Sequence, residues 1–291
     1  MQADNFNSEA YYSSPSGRLG GALFVIKIGG NIIDDEIKLS SFLQSFAAIE
    51  GKKILIHGGG KLATRIAEAM GLKQHMVDGR RITDAETLKI VTMVYAGYIN
   101  KNIVAQLQAF HCNAIGLSGA DGNTILAHKR AGSKSSPSGG GLEGAVDYGF
   151  AGDIDEVNSS FINSLFQTSD AIVIAPITHN GKGQLLNTNA DTIAQEVAKA
   201  MSKLYDVDLI YSFEKAGVLL DVNDETTVIN KINSESYQQL KTNGKIFAGM
   251  IPKLDNAFAA LKSGVNKVII GKAEELNNLM DGTKGTTIYN G

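Results

Sequence analysis

Leu23-Phe24-Val25-Ile26-Lys27-Ile28-Gly29-Gly30-Asn31 and Lys53-Ile54-Leu55-Ile56-His57-Gly58-Gly59-Gly60 share one plan. Each is a β-branched apolar run that stops at glycines and gives way to a helix-like segment. Strands apolar at nearly every position are buried on both faces, as in a parallel sheet covered by helices. Ala114–Leu117, Ala171–Ala175, Asp208–Ser212, Lys267–Gly271 and Thr286–Tyr289 read the same way. Segments with a 3.6-residue period cover Leu39–Glu50, Leu62–Met70, Asp84–Phe110, Ser160–Gln167, Ala190–Met201, Ser234–Thr242, Met250–Leu261 and Glu274–Asp281. This alternation predicts an α/β fold on a mainly parallel open sheet. Thr83, Asp84 and Glu86 predict a capping box for the longest helix, and Asn189 a cap for the helix at Ala190. Asp78-Gly79 predicts a tight hairpin turn.

The 291 residues suit one large domain or two lobes sharing a sheet. Met1–Gly21 carries no helical period and reads as a poorly ordered leader, which leaves 22–291 as a single domain. Gly132–Gly144 reads as a low-complexity surface loop, and Val146–Val157 beyond it as another extended or hairpin element. A net charge of −3 argues against nucleic-acid and polybasic membrane-surface binding, so an anionic ligand must be held by local donors. The single cysteine, Cys112, excludes an intrachain disulfide and a cysteine-rich zinc site. No apolar run approaches the ~18–20 residues that span a bilayer. The expectation is a soluble, cytoplasmic protein.

Ligands of parallel α/β sheets bind beyond the carboxyl ends of the strands. Glycines between a strand and a helix remove Cβ atoms and let backbone amides approach an anion at the positive helix end. Lys27, at the same edge, adds a fixed positive charge. The competing reading is that the glycines only turn the chain and Lys27 is solvated. A lysine inside a β-branched strand and followed at once by Gly29-Gly30 favours a pocket for phosphate or carboxylate. Gly58-Gly59-Gly60-Lys61-Leu62-Ala63 matches a loose dinucleotide pattern, but the acidic residue that should end a second strand is missing. The Walker pattern fails at Leu55 and Leu62.

Further along, Asn187, Asn189 and Asp191 bracket a helix start. Capping accounts for Asn189 but requires neither Asn187 nor Asp191. Lys253 lies near a helix N-terminus, where the helix dipole gives an ammonium nothing, so a ligand motive is the stronger one. Arg80-Arg81 is either a solvated pair or supplies a bidentate grip on a carboxylate. His57 reads as structural. The other histidines show no metal-ligand spacing, and no metal site is expected.

Taken together, the motifs at 25–30, 57–60, 78–83, 146–153, 184–191 and 249–253 resemble those of the amino acid kinase family, in family order and over nearly everything after the leader. The resemblance implies a three-layer αβα sandwich with an N-lobe (about 22–182) for substrate and dimerisation and a C-lobe (about 183–291) for ATP. It implies that the γ-carboxylate of an N-acylated glutamate attacks the γ-phosphoryl of ATP, with Mg2+ carried by the nucleotide, in arginine biosynthesis. N-acetyl-L-glutamate is the simplest substrate and N-succinyl-L-glutamate the alternative. A catalytically idle fold would be free to lose Lys27, Asp191 and Lys253, yet all three are present. In the family pattern Lys27 and Lys253 stabilise the transferring phosphoryl and Asp191 orders them. Gly59, Gly60, Arg81 and Asn187 hold the substrate, and Gly29, Gly30, Ser212 and Gly217 the nucleotide. Tyr211–Gly217 departs from the family's usual Thr/Ser-Asp-Val-x-Gly stretch. A homodimer is implied as well.

Overall fold

The opening apolar run folds as β1 (Gly20–Ile28), with Leu23, Val25, Ile26 and Ile28 completely buried. The computed structural model describes residues 20–77, 80–134, 145–246 and 250–291. The expectations for residues 1–19, for the turn at Asp78-Gly79 and for most of the Gly132–Gly144 loop lie outside the described residues. After β1 come α1 (Gly30–Ile33), α2 (Glu36–Ala47), β2 (Lys52–His57) and α3 (Gly60–Ala69). A small hairpin of β3 (Met76–Val77) and β4 (Arg80–Arg81) precedes α4 (Ala85–Thr92), a π-helical segment at Met93–Ile99 and α5 (Asn100–Ala109).

The middle of the chain holds β5 (Ala114–Leu117), β6 (Ile125–Lys129), β7 (Ser133–Lys134), β8 (Ala145–Val146) and β9 (Ala151–Val157). Then follow α6 (Ser159–Leu165), β10 (Ala171–Ile174), β11 (Ile177–His179), β12 (Leu185–Thr188) and α7 (Ala190–Met201). The last part comprises β13 (Tyr205–Phe213), β14 (Lys231–Ile232), α8 (Ser234–Thr242), α9 (Ile251–Lys262), β15 (Lys267–Lys272), α10 (Leu276–Met280) and β16 (Thr286–Ile288).

Eight strands form one sheet in the order β14-β16-β15-β13-β1-β2-β10-β5. Every neighbouring pair is parallel except β15 with β16. Alternate residues of the central strands feed two separate cores. Ile26, Leu55 and Val173 pack under α2, α5 and the π segment, with Phe46 and Ile103 among their neighbours. Val25, Ile54 and Ile172 pack under α7 and α9, with Val197 and Leu254. That is the expected αβα sandwich, and double-sided burial explains why its strands lack a polar face.

Three features differ from the sequence expectation. A closed four-stranded barrel, β11-β12-β9-β6, sits beside the sheet, and only its Val146–Val157 part was anticipated as extended. The helix expected at Asp84–Phe110 is divided by the π segment. Its capping box is also absent: Asp84 alone is the N-cap, accepting from the Thr87 amide at 2.8 Å. The Thr83 hydroxyl instead donates to the Arg81 carbonyl at 3.1 Å, and Glu86 pairs with Lys89. Thr83 is fully buried and its hydroxyl is taken up by the Arg81 carbonyl and the Asn187 amide, so it is not free to cap. No helix among the described residues is long and apolar enough to cross a membrane.

Candidate active site

β1, β2 and β13 run side by side and in parallel, which brings their carboxyl ends together: Ile28 aligns with His57 on one side and Ser212 on the other. The loop after β2 is shaped by Gly59, whose φ of +143° suits only glycine. A Cβ there would stand 2.3 Å from Ile99 Cδ1 and 3.1 Å from Tyr95 Cδ1. Gly59 is the N-cap of α3 and supplies no side-chain cap. First-turn amides of α3 are therefore left to an outside acceptor, at the end of the helix that favours negative charge. Gly29 stands in the same way before α1 and donates its own N–H to the Ser212 carbonyl at 3.2 Å.

A cavity of about 190 Å³ opens against this loop. It is smaller than the ~300–1,000 Å³ of sites for drug-sized ligands and suits a molecule the size of an amino-acid derivative. Gly59, Gly60, Arg81 and Asn187, the expected substrate residues, all line it. Arg81 is only 8% exposed. Its Nη2 donates to the Gly60 carbonyl at 2.9 Å and to Thr64 Oγ1 at 2.8 Å, and its Nη1 to the side-chain oxygen of Gln74. The guanidinium is thus fixed at a wall of the cavity. Asn187, on β12, donates through Nδ2 to Thr83 Oγ1 at 3.0 Å. The barrel therefore completes the pocket that the sheet begins.

Tyr95, Ala151, Gly152 and Pro176 also line the cavity and were given no role from sequence. Ala151 and Gly152 fall within the 146–153 motif, which signalled a site without saying what it does. Tyr95 gave no signal, because within a helix-period segment it reads as core. Burial pushes its hydroxyl pKa up, against the pull of nearby Arg81, so it enters the site as a neutral phenol.

Beside the cavity, Lys27 Nζ lies 2.7 Å from Asp191 Oδ1, with 17% and 37% of the two side chains exposed. Asn189 caps α7 by accepting from the amides of Asp191 and Thr192, as expected, and this places Asp191 in the first turn. Desolvation by the surrounding protein pushes the Asp191 carboxyl up, even with its remaining exposure. The charges of Lys27 and then Lys253 more than reverse that, holding it below the ordinary carboxylate value. Both lysines therefore act on one carboxylate from opposite ends of the chain. Lys253 is exposed, its ammonium 4.7 Å from the centre of the Phe213 ring. Tyr211, in register with Lys27, donates its hydroxyl to the Asp191 carbonyl at 3.3 Å. Two cations and one anion leave surplus positive charge for a ligand.

The expected nucleotide residues are less uniform. Gly29 and Gly30 sit at the strand end, but Ser212 is 1% exposed and its Oγ has no partner among the described residues. Gly217 is buried where a Cβ would meet Thr286 Oγ1 at 2.6 Å, so packing alone demands glycine there. Gly249 lies outside the described residues. Among the described residues no group of three or more His, Cys, Asp or Glu side chains could hold a metal ion.

A parallel sheet with glycine-rich strand ends and paired lysines around one aspartate defines a phosphoryl-transfer fold, and the chain belongs to the amino acid kinase family, which it matches over residues 22–272. Among its relatives is the acetylglutamate kinase of Cytophaga hutchinsonii, 52% identical over 262 residues that cover 90% of this chain and 96% of that protein. The acetylglutamate kinase of Phocaeicola vulgatus is also 52% identical, covering 88% of this chain and 95% of its own. Solved structures share the fold at lower identity. N-acetylglutamate synthase from Neisseria gonorrhoeae has a TM-score of 0.74 at 20% identity, covering 92% of this chain and 59% of that one. Carbamate kinase from Giardia lamblia has 0.63 at 15% identity, covering 94% and 99%.

Proposed function

We propose that this chain transfers the γ-phosphoryl group of ATP to the γ-carboxylate of N-acetyl-L-glutamate, forming an acyl phosphate in arginine biosynthesis. The observation that carries the reading is the juxtaposition of a small, Arg81-walled cavity with the Lys27–Asp191 pair. The two relatives of 52% identity named acetylglutamate kinase support the same reaction. A glutamate carboxylate has a pKa of about 4.3 and is ionised at neutral pH, so the nucleophile needs no general base. What it needs is in-line placement and relief of repulsion between two anions.

In this reading Arg81 takes the α-carboxylate, Asn187 the acylamide end, and the amides of Gly59 and Gly60 hold the reacting carboxylate. Lys27 and Lys253 neutralise charge on the transferring phosphoryl, and Asp191 keeps the two ammonium groups in place. The nucleotide lies towards Gly29, Gly30, Ser212 and Gly217, so that residues 22–182 serve the acylglutamate and 183–291 the ATP. Mg2+ carried by the nucleotide phosphates would add charge neutralisation there; the Asp191 carboxylate, engaged by Lys27, is not put forward as its ligand. A homodimer and a cytoplasmic setting complete the proposal.

Hydroxylamine trapping tests the reaction directly. With ATP, N-acetylglutamate is expected to yield a hydroxamate, and free glutamate and N-succinylglutamate none. No hydroxamate from N-acetylglutamate would overturn the reading.

A further inference from the structure

His57 and Asn100 are each fully buried beneath the glycine loop, and they form a hydrogen-bond chain whose direction is fixed by chemistry. The Val173 carbonyl can only accept, so the Asn100 atom 3.1 Å from it is the amide nitrogen. That nitrogen also lies 3.3 Å from His57 Nε2. A donor there requires a lone pair on Nε2, which puts the ring proton on Nδ1, and Nδ1 donates to the Gly58 carbonyl at 2.8 Å. The other end of the amide is engaged too: Asn100 Oδ1 accepts from Lys101 Nζ at 3.1 Å, and that ammonium also reaches the Gly116 carbonyl at 2.7 Å. β5 carries glycine at 116 to make room, since a Cβ there would stand 2.2 Å from Asn100 Oδ1.

An apolar side chain would fill this core without the desolvation cost of a buried imidazole. The polar pair has a geometric consequence that an apolar one lacks. In a trans peptide the C=O and the following N–H point in opposite directions. With the Gly58 carbonyl drawn down onto the ring, the Gly59 N–H is turned away from it. That N–H has no acceptor among the described residues, and Gly59 lines the cavity. The π segment that leads into Asn100 also packs on the loop, with Ile99 and Tyr95 against Gly59. π segments recur where a helix has been adjusted for a functional site. Burial keeps the imidazole neutral, its pKa lowered to about 4, so the tautomer persists at working pH.

We propose that His57, oriented by Asn100, is a positioning residue that aims the Gly59 amide at the substrate carboxylate; the step to substrate rests on the acylglutamate reading above. Side-chain geometry separates this from a purely structural role. His57→Asn retains a donor where Nδ1 stood, whereas the amide of His57→Gln reaches only the Nε2 position. His57→Gln is expected to raise KM for N-acetylglutamate about tenfold, the scale of one lost hydrogen bond, with KM for ATP unchanged. His57→Asn should restore most of that loss. Unchanged KM for N-acetylglutamate in His57→Gln, equal behaviour of the two variants, or parallel shifts in both KM values would overturn the proposal.

A second measurement does not depend on turnover. Nitrogen-15 NMR of histidine-labelled wild-type protein, with the His57 signals assigned by their loss in His57→Asn, should show the Nδ1–H tautomer. An Nε2–H tautomer would overturn the proposal even with normal kinetics. Wild-type protein that turns over no acylglutamate would instead sink the functional reading, and the ring proton would still decide the orientation of the loop.

Discussion

The ammonium of Lys27, on the central strand β1, is 2.7 Å from the carboxylate of Asp191, at the first turn of α7. Lys253, in the first turn of α9, acts on the same carboxylate. In the proposed reaction Asp191 would offset one of these two positive charges and leave the other for a phosphoryl group. Lys27→Met is expected to lower kcat by about a hundredfold, by analogy with the loss of one preorganised oxyanion donor. Steady-state kinetics with melting temperatures measured in parallel checks this. Activity within threefold of wild type would remove Lys27 from the mechanism.

Arg81 is held by Gly60, Thr64 and Gln74, and a lysine cannot reproduce that fork. Arg81→Lys should raise KM for N-acetylglutamate by about ten- to a hundredfold while kcat stays within a fewfold. An unchanged KM would place the α-carboxylate elsewhere.

Gly59 combines a positive φ with a contact that forbids a Cβ. Gly59→Ala should cost about 1–3 kcal/mol in urea unfolding and raise KM for N-acetylglutamate. Adding Ile99→Ala removes the 2.3 Å clash but leaves the tight approach to Tyr95 and the backbone strain, so the double variant should recover only part of the affinity. Full recovery would show that the side-chain contact alone mattered.

The buried His57 gives a pH dependence of known sign. Its folded pKa of about 4 lies below the ordinary 6.5, so the unfolded chain binds a proton that the folded one refuses. The stability this contributes is complete above pH 6.5 and is lost as pH falls from there to about 4. At about 1.4 kcal/mol per pH unit the span is worth about 3 kcal/mol. His57→Asn should flatten the stability–pH curve in this window, as read by denaturant unfolding at several pH values. A slope equal to wild type would contradict the account.

Lys53 is a structural counterpart to the site lysines. It is 4% exposed, and its ammonium donates to the carbonyls of Ala47 and Ile49 at the end of α2, at 3.0 and 2.6 Å. Helix ends leave carbonyls without partners, and here a strand residue supplies them. Lys53→Met should lower stability by about 1–3 kcal/mol, with kcat and both KM values of the folded enzyme unchanged. Unfolding at the wild-type midpoint would refute this.

β1, β2, β5, β10, β13, β15 and β16 were legible in the sequence within a few residues at each end; β2, β10 and β15 in particular are buried on both faces and carry a nearly unbroken apolar signature. Of the barrel strands only β9 was, within the extended Val146–Val157 segment. β6, β11 and β12 are three to five residues long, and β9 mixes Gly152, Asp153, Asp155 and Glu156 with apolar positions. Such segments become strands only when all four close on one another. Met93–Ile99 likewise reads as ordinary helix, and nothing local distinguishes its π geometry.

By itself, the sequence determined the sheet, the alternating helices, the glycine-bearing strand ends and the residue types at the site, because these follow from burial, periodicity and backbone freedom over short stretches. Tertiary structure alone decided that Lys27 and Lys253 act on one Asp191, that Arg81 and Asn187 face one cavity, and that the Asn100 amide meets the His57 ring. Each of these is a contact between residues remote along the chain, and local pattern carries no information about which distant partners a fold brings within hydrogen-bond reach.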